Sequence, residues 1–345
     1  MILEELKIES FRGMAEVSLQ GLPPVSLVVG ANNAGKSSVL EAAALLLRPY
    51  DPAQWVQVAR QRDLDMALVE GLWSLFPSRT PMQVDDGPKQ TEPLRVAGLV
   101  NSSSRALAAT GLASLNWDSE ESGDLVLRVE ARVNEGGSPQ DPHEMVFRRE
   151  VPAQYGKGIT LYRSFTVTSA THRSTHQLVE HLSKAVDAGK KNLAVELLSL
   201  FDPEIQGLDI SSSGGRDGVR VTHATRGVVD LASFGDGMRR AAALALALVR
   251  AQGGLLLADE IEAGIHQRIL PEVLSRLIQA AEAAEVQILA TTHSLEAIDA
   301  LITAVNGLPE RSAVYYLQRR TDRHLVRRYG QDEFTALRET GLDLR

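Results

Sequence analysis

Apolar positions along the chain follow two different periods. Near the start, Ile2, Leu6 and Ile8 mark a strand-like segment, Val25 to Val29 is an unbroken apolar run, and Gly30 to Gly35 is a glycine-bounded turn. Ser37 to Leu47 then follows a helical pattern that Pro49 ends. Between about 51 and 230 the pattern is less regular. Pro, Gly and Ser collect around 77–93, 101–104 and 134–142, which reads as loops, while apolar and polar residues alternate over 125–133 and 159–167. That alternation predicts antiparallel strands with one wet face. A helix is predicted from about His176 to Leu200, ending at Asp202-Pro203.

From about 231 the pattern becomes regular α/β. A helix over Met238–Ala251 leads to the strand Leu255–Ala258, a helix over Arg268–Ala283, a strand over Val286–Ala290 and a helix over Leu295–Ala304. Ala313–Arg320, a turn at Thr321-Asp322, and His324–Tyr329 complete a hairpin. Continuous apolar strands alternating with helices predict a mainly parallel sheet covered on both faces. No heptad pattern persists for three or four turns, so a long coiled-coil arm is not expected. The expected organisation is one α/β head made from 1–50 and 231–345, with 51–230 forming a helical and irregular central lobe that carries the antiparallel portion.

Composition narrows the function. The 345 residues give room for about two domains. With 36 Lys+Arg against 44 Asp+Glu the net charge is −8, which excludes a uniformly basic nucleic-acid coat or a polybasic membrane binder. Cys is absent, which excludes disulfide scaffolds, thiolate metal sites and Cys nucleophiles. The longest apolar run, Ala241 to Val249, is far shorter than the roughly 20 residues of a spanning helix. The start carries acidic residues and no apolar signal core, so a cytoplasmic protein without membrane association is expected.

Gly30-Ala31-Asn32-Asn33-Ala34-Gly35-Lys36-Ser37 fits G-x-x-x-x-G-K-[ST], with a predicted strand before it and a predicted helix after it. The two glycines let successive N–H groups turn toward phosphate oxygens at the positive end of the helix. Lys36 reaches the β- and γ-phosphates of ATP, the Ser37 hydroxyl ligates Mg²⁺, and Ser38 completes the expected set of nucleotide contacts. Kinases, GTPases and motor ATPases share such a loop, so the second half of the chain decides the class. Asp259 and Glu260 end an apolar strand, where Asp259 serves the Mg²⁺ shell and Glu260 polarises the attacking water. Thr291-Thr292-His293-Ser294 ends the next strand, where His293 is placed to donate to the γ-phosphate.

Leu231 to Arg240 brings small residues to the start of a long helix, leaving N–H groups for an anion. The set of phosphate loop, Ser233-x-Gly235 followed by Arg239, Asp259-Glu260 and Thr292-His293-Ser294 resembles ATP-binding-cassette ATPases. The resemblance implies that Ser233 and Gly235 contact the γ-phosphate held by a second copy, so that a homodimer forms on ATP binding. Leu6 to Gly13 looks like the opening of the SMC, RecF and OLD-type branch. Asp259-Glu260-Ile261-Glu262-Ala263-Gly264-Ile265-His266 looks like the D-E-x-E-x-G-[LI]-H segment of its AAA-15/AAA-21 members. By analogy Arg12 lies near the nucleotide phosphates, an exposed arginine closing a strand being the other reading. His266 stands where transporters carry an aspartate, and the glutamine that usually links nucleotide to the central region has no assigned position.

The branch resemblance implies an ATP-driven switch in DNA repair or antiphage defence. DNA is among its expected partners, as is a separate effector nuclease, because no acid cluster of a TOPRIM nuclease follows Thr292-His293. A nucleotide-binding subunit of an ABC transporter is the alternative. A phosphate-loop kinase or GTPase and an ATP sensor of little turnover are further readings; no N/T-K-x-D segment of a GTPase occurs. Arg319, Arg320, Arg323, Arg327 and Arg328 crowd the C-terminal hairpin, read as a charged edge that discourages sheet pairing, with a phosphate-binding ridge as the other reading.

Overall fold

The computed structural model describes residues 2–61, 66–77, 87–116, 124–149, 162–213, 216–304, 309–320 and 323–330, with a few single positions besides. The turn expected at Thr321-Asp322, the first part of the strand expected over 159–167 and part of the loop expected over 77–93 lie outside these residues.

The apolar runs at 25–29, 255–258 and 287–291 are strands buried along their whole length. They belong to a six-stranded sheet in the order Ser164–Val167, Leu255–Ala258, Gln287–Thr291, Val25–Val29, Ser312–Arg319, His324–Gly330. The first five are parallel and the last returns antiparallel as a hairpin. Alternation of side chains sorts this sheet into two cores. Val28, Leu255, Leu257, Leu289 and Tyr315 enter one core; Leu27, Val29, Leu256, Ile288 and Ala290 enter the other. The molecule is α/β with a P-loop NTPase architecture.

The first core is closed by an antiparallel sheet of eight strands, built on Leu3–Phe11, Met14–Gln20, Leu94–Val100, Ser103–Asn116 and Asp124–Glu135. Between the two sheets lies the helix Lys36–Leu47, with ten of its twelve residues buried, which explains why its sequence is apolar on nearly every side. The second core is covered by the helices Asp236–Arg250, Leu270–Ala283 and Leu295–Ala304. The sheets are tied by polar side chains as well. Gln287 accepts from the N–H groups of Ile2 and Leu3 and donates to the carbonyls of Leu3 and Pro23. Buried Arg105 donates to the Leu46 carbonyl at 2.9 Å, satisfying a carbonyl at the end of the helix Lys36–Leu47.

Two expected loops prove tighter than the composition suggested. Asn101 and Ser102 both take positive φ, and Gly136 and Gly137 do likewise, so each pair closes a two-residue hairpin and the serines at 103 and 104 already belong to a strand. The single helix expected over 176–200 is two helices, Thr175–Asp187 and Asn192–Ser199. Gly189 stands between them at φ 67°, with Gly189 N–H bonded to Val186 O and Lys190 N–H to Ala185 O. That bond pair is a Schellman termination, which a hydrophobic period does not reveal. These helices pack with a three-stranded sheet of Ile205–Ser213, Arg216–His223 and Gly227–Asp230. The same central segment also gives the strand Ser164–Val167 to the parallel sheet, beside Leu255–Ala258. Among the described residues no helix is long and apolar enough to cross a membrane.

Candidate nucleotide site

Parallel pairing brings the carboxyl ends of Val25–Val29, Leu255–Ala258 and Gln287–Thr291 together, and each strand delivers its motif at that edge. The loop 30–35 follows the first. Gly30 has φ 145°, and a Cβ there would sit 2.1 Å from the Leu317 carbonyl oxygen, so only glycine passes. Gly35, at φ 99°, precedes the helix and packs on Met14, while Asn33 also takes a positive φ. Ala31, Asn32 and Asn33 are exposed, and Ala34 and Ser38 are buried beneath them. The Lys36 ammonium donates to the carbonyls of Gly30 at 2.8 Å and Ala31 at 3.1 Å. Burial lowers its pKa from the ordinary lysine value, opposed by the charges of Asp259, Glu260 and Glu262.

The Ser37 hydroxyl lies 3.1 and 3.0 Å from the two carboxylate oxygens of Asp259. A hydroxyl and a carboxylate converging at this distance form the all-oxygen donor set that Mg²⁺ takes. Thr291 donates to Asp259 Oδ1 at 2.5 Å and accepts from the Glu260 N–H at 2.9 Å. Glu260 itself is left-handed, at φ 48°. His293 is about half exposed, with Nδ1 3.6 Å from Glu260 and 3.8 Å from Glu262. The Thr292 hydroxyl donates to Glu262 at 2.6 Å. Lys36, Ser37, Asp259, Glu260 and His293, far apart in sequence, therefore share one edge of one sheet.

Three expected residues stand elsewhere. The Arg12 guanidinium is engaged by Glu41 at 2.7 Å, Ser74 at 3.0 Å and the Val58 carbonyl at 3.3 Å, which binds the hairpin turn to the side of the helix Lys36–Leu47. Ser233 closes a one-turn helix and donates to Asp230 O at 2.7 Å. Gly235 caps the helix Asp236–Arg250, so the free N–H groups at that helix start belong to 236–238, beyond Ser233. Ser233 and Gly235 are exposed, and no hydrogen bond among the described residues joins them to the loop 30–37 of their own chain.

Sequence reasoning missed Arg240. It is fully buried, and its guanidinium donates to the carbonyls of Thr168, Asp259 and Glu260. Its signal was a charge on the same helical stripe as Leu244 and Leu248, both in the core.

Comparison with known proteins fixes the family. The family model described as "AAA domain, putative AbiEii toxin, Type IV TA system" matches residues 25–299. The chain belongs to this AAA family. An uncharacterised protein of Methanocaldococcus jannaschii, MJECL10, is 46% identical over 46 residues, which is 13% of this chain and 21% of that protein. The chain thus matches about a fifth of that relative's length. Among solved structures, an SMC head bound to the C-terminal winged-helix domain of ScpA is similar at TM-score 0.56 and 12% identity, covering 97% of this chain and 100% of that one. An Smc head with an extended coiled coil, bound to the C-terminal domain of ScpA derived from Pyrococcus furiosus, is similar at TM-score 0.52 and 11% identity, covering 98% and 99%. At such identity the likeness is one of fold. It agrees with the SMC-type resemblance read from the motifs, and this AAA protein has the head without a long coiled coil among its described residues.

Proposed function

We propose that this AAA protein binds and hydrolyses ATP, dimerises around it, and works as a cytoplasmic switch in DNA repair or antiphage defence. The observation that carries the reading is the Ser37–Asp259–Thr291 chain of hydrogen bonds beside Glu260, with Lys36 and His293 at the same edge. Loop N–H groups and Lys36 hold the phosphates. Ser37 and Asp259 would hold Mg²⁺, which when bound neutralises phosphate charge. Glu260 aligns water for in-line attack, and His293 donates to the γ-phosphate. Arg12 steadies the loop through Glu41 and the helix behind it.

The exposure of Ser233 and Gly235, with no hydrogen bond among the described residues from them to their own phosphate loop, supports a second copy closing the site. Each ATP then bridges two subunits, and release of phosphate removes the bridge. The toxin named in the family description speaks for defence, with a separate nuclease or other effector and DNA as partners. That SMC heads are solved with ScpA domains bound gives a precedent for a protein docking on such a head.

The test is light scattering of Glu260→Gln with and without ATP–Mg²⁺, repeated with duplex DNA. A dimer that requires ATP is expected. A monomer under every condition, despite tight ATP binding, overturns the dimer mechanism; degradation of DNA by the purified chain alone overturns the separate effector.

A further inference from the structure

Burying a guanidinium is costly, and an apolar side chain of similar volume would fill the site of Arg240 at less expense. The group stays protonated at neutral pH even though burial pulls its pKa down to about 10, because Asp259, Glu260 and Glu262 oppose that fall. Among the described residues all its hydrogen bonds go to backbone carbonyls. Nη1 takes Thr168 O, just past the strand Ser164–Val167; Nη2 takes Asp259 O at 2.6 Å and Glu260 O at 3.0 Å, just past the strand Leu255–Ala258. One planar fork thus joins two strand ends to the helix Asp236–Arg250.

Glu260 is the residue this fork holds in a backbone region that costs a non-glycine residue free energy. Its N–H is fixed by Thr291 and its carbonyl by Arg240 and the Ala263 N–H. The helix touches the same turn a second time. A Cβ on Gly237 would lie 2.5 Å from Gly264 O, so the first helical turn rests directly on the end of the segment 259–264. The helix start, where a second copy would engage, and the acid that directs water are therefore two ends of one rigid piece.

Resting on the ATPase reading above, we propose that Arg240 is a positioning residue that locks the Glu260 turn to the helix beginning at Gly235, so that engagement at the helix start and alignment of the glutamate are a single event. Arg240 then governs turnover and leaves nucleotide binding alone.

The experiment uses the full chain with Arg240→Lys, which keeps charge and bulk but cannot span both strand ends, and Arg240→Met. Turnover, ATP affinity and amide exchange are measured together. The expected result is a kcat at least about tenfold lower with KM and ATP affinity within about twofold of wild type. Exchange at Glu260, Ile261 and Ala263 should be at least about tenfold faster, with the helix Lys36–Leu47 unchanged. If Arg240→Met does not fold, Arg240→Lys decides alone. Wild-type kcat and wild-type exchange in Arg240→Lys overturn the proposal, as does exchange that rises equally in both cores, the mark of a merely structural role. If the wild type itself shows no turnover, the ATPase reading falls, and unaltered exchange at 260–263 in Arg240→Lys separately refutes the lock.

Discussion

Thr291 donates its hydroxyl proton to Asp259 Oδ1 at 2.5 Å from the neighbouring strand. The threonine's own Oγ1 accepts the Glu260 N–H, so one hydroxyl aims a carboxylate at Ser37 and satisfies the turn that carries the next acid. Replacing it by Val keeps the shape and removes both bonds. Thr291→Val is expected to lose about 1–3 kcal/mol of stability, because a part-buried N–H loses its acceptor. It should also weaken ATP binding in Mg²⁺ more than ATP binding in EDTA. Urea unfolding and paired titrations check both statements.

Gly30 stands where strand gives way to loop, and its φ of 145° and the 2.1 Å approach to Leu317 O leave no space for a side chain. Gly30→Ala is expected to cost at least about 3 kcal/mol, combining backbone strain with overpacking, and to abolish ATP binding. Gly13→Ala is the control. Gly13 has an ordinary φ and open space around it, so its change should leave stability within about 0.5 kcal/mol. Chemical denaturation of the two variants separates a requirement for glycine from a mere occurrence of it.

Arg12 and Glu41 form an ion pair of 2.7 Å with side chains 10% and 1% exposed, so neither charge is well solvated. Arg12→Met is expected to destabilise by about 3–5 kcal/mol, since it leaves the glutamate buried beside an apolar group. Arg12→Met combined with Glu41→Leu should recover most of that loss. A double-mutant cycle measures the coupling, and additive effects would contradict the pairing.

The parallel half of the fold was legible because strands covered on both faces are continuous apolar runs, and 25–29 and 255–258 are found at the bounds their sequence suggests. Lys36, Asp259 and His293 stood out as candidate site residues because each follows such a run within a few residues, and parallel pairing brings the three run ends to one sheet edge. The antiparallel sheet was read only in part: Leu94–Val100 and Ser103–Asn116 are rich in Ala, Ser and Gly, which pack well on a flat sheet yet carry little β signal. The strands at 205–230 were missed for a similar reason, as Ser, Gly and charged residues interrupt their apolar positions. Arg12 shows the limit of motif analogy. It was expected beside the nucleotide phosphates or exposed at a strand end, yet its side chain is nearly buried, and the atoms it meets are set by Glu41, 29 residues on, and by Ser74 and Val58, none of which belongs to a motif. Arg240 lay hidden because a charge in an apolar stripe is explained only by the carbonyls that surround it.

His181, on the helix Thr175–Asp187, is buried with Nδ1 unpartnered among the described residues and its ring edge-on to Phe165. Burial first, and the Arg250 charge second, lower its pKa from 6.5 to about 4, with Glu180 opposing. In the unfolded chain it regains the ordinary value. Between pH 6.5 and 4 the unfolded state therefore binds a proton that the folded state refuses, so stability falls as pH falls through that window and is flat above it. A difference of 2.5 units corresponds to at most about 3 kcal/mol. Buried His172, whose pKa is lowered by burial and by Arg240, acts in the same direction. His181→Leu should reduce the acid loss without abolishing it. Urea midpoints at pH 7 and pH 4.5 test this: equal losses in wild type and variant would show that His181 is protonated in the fold as readily as outside it.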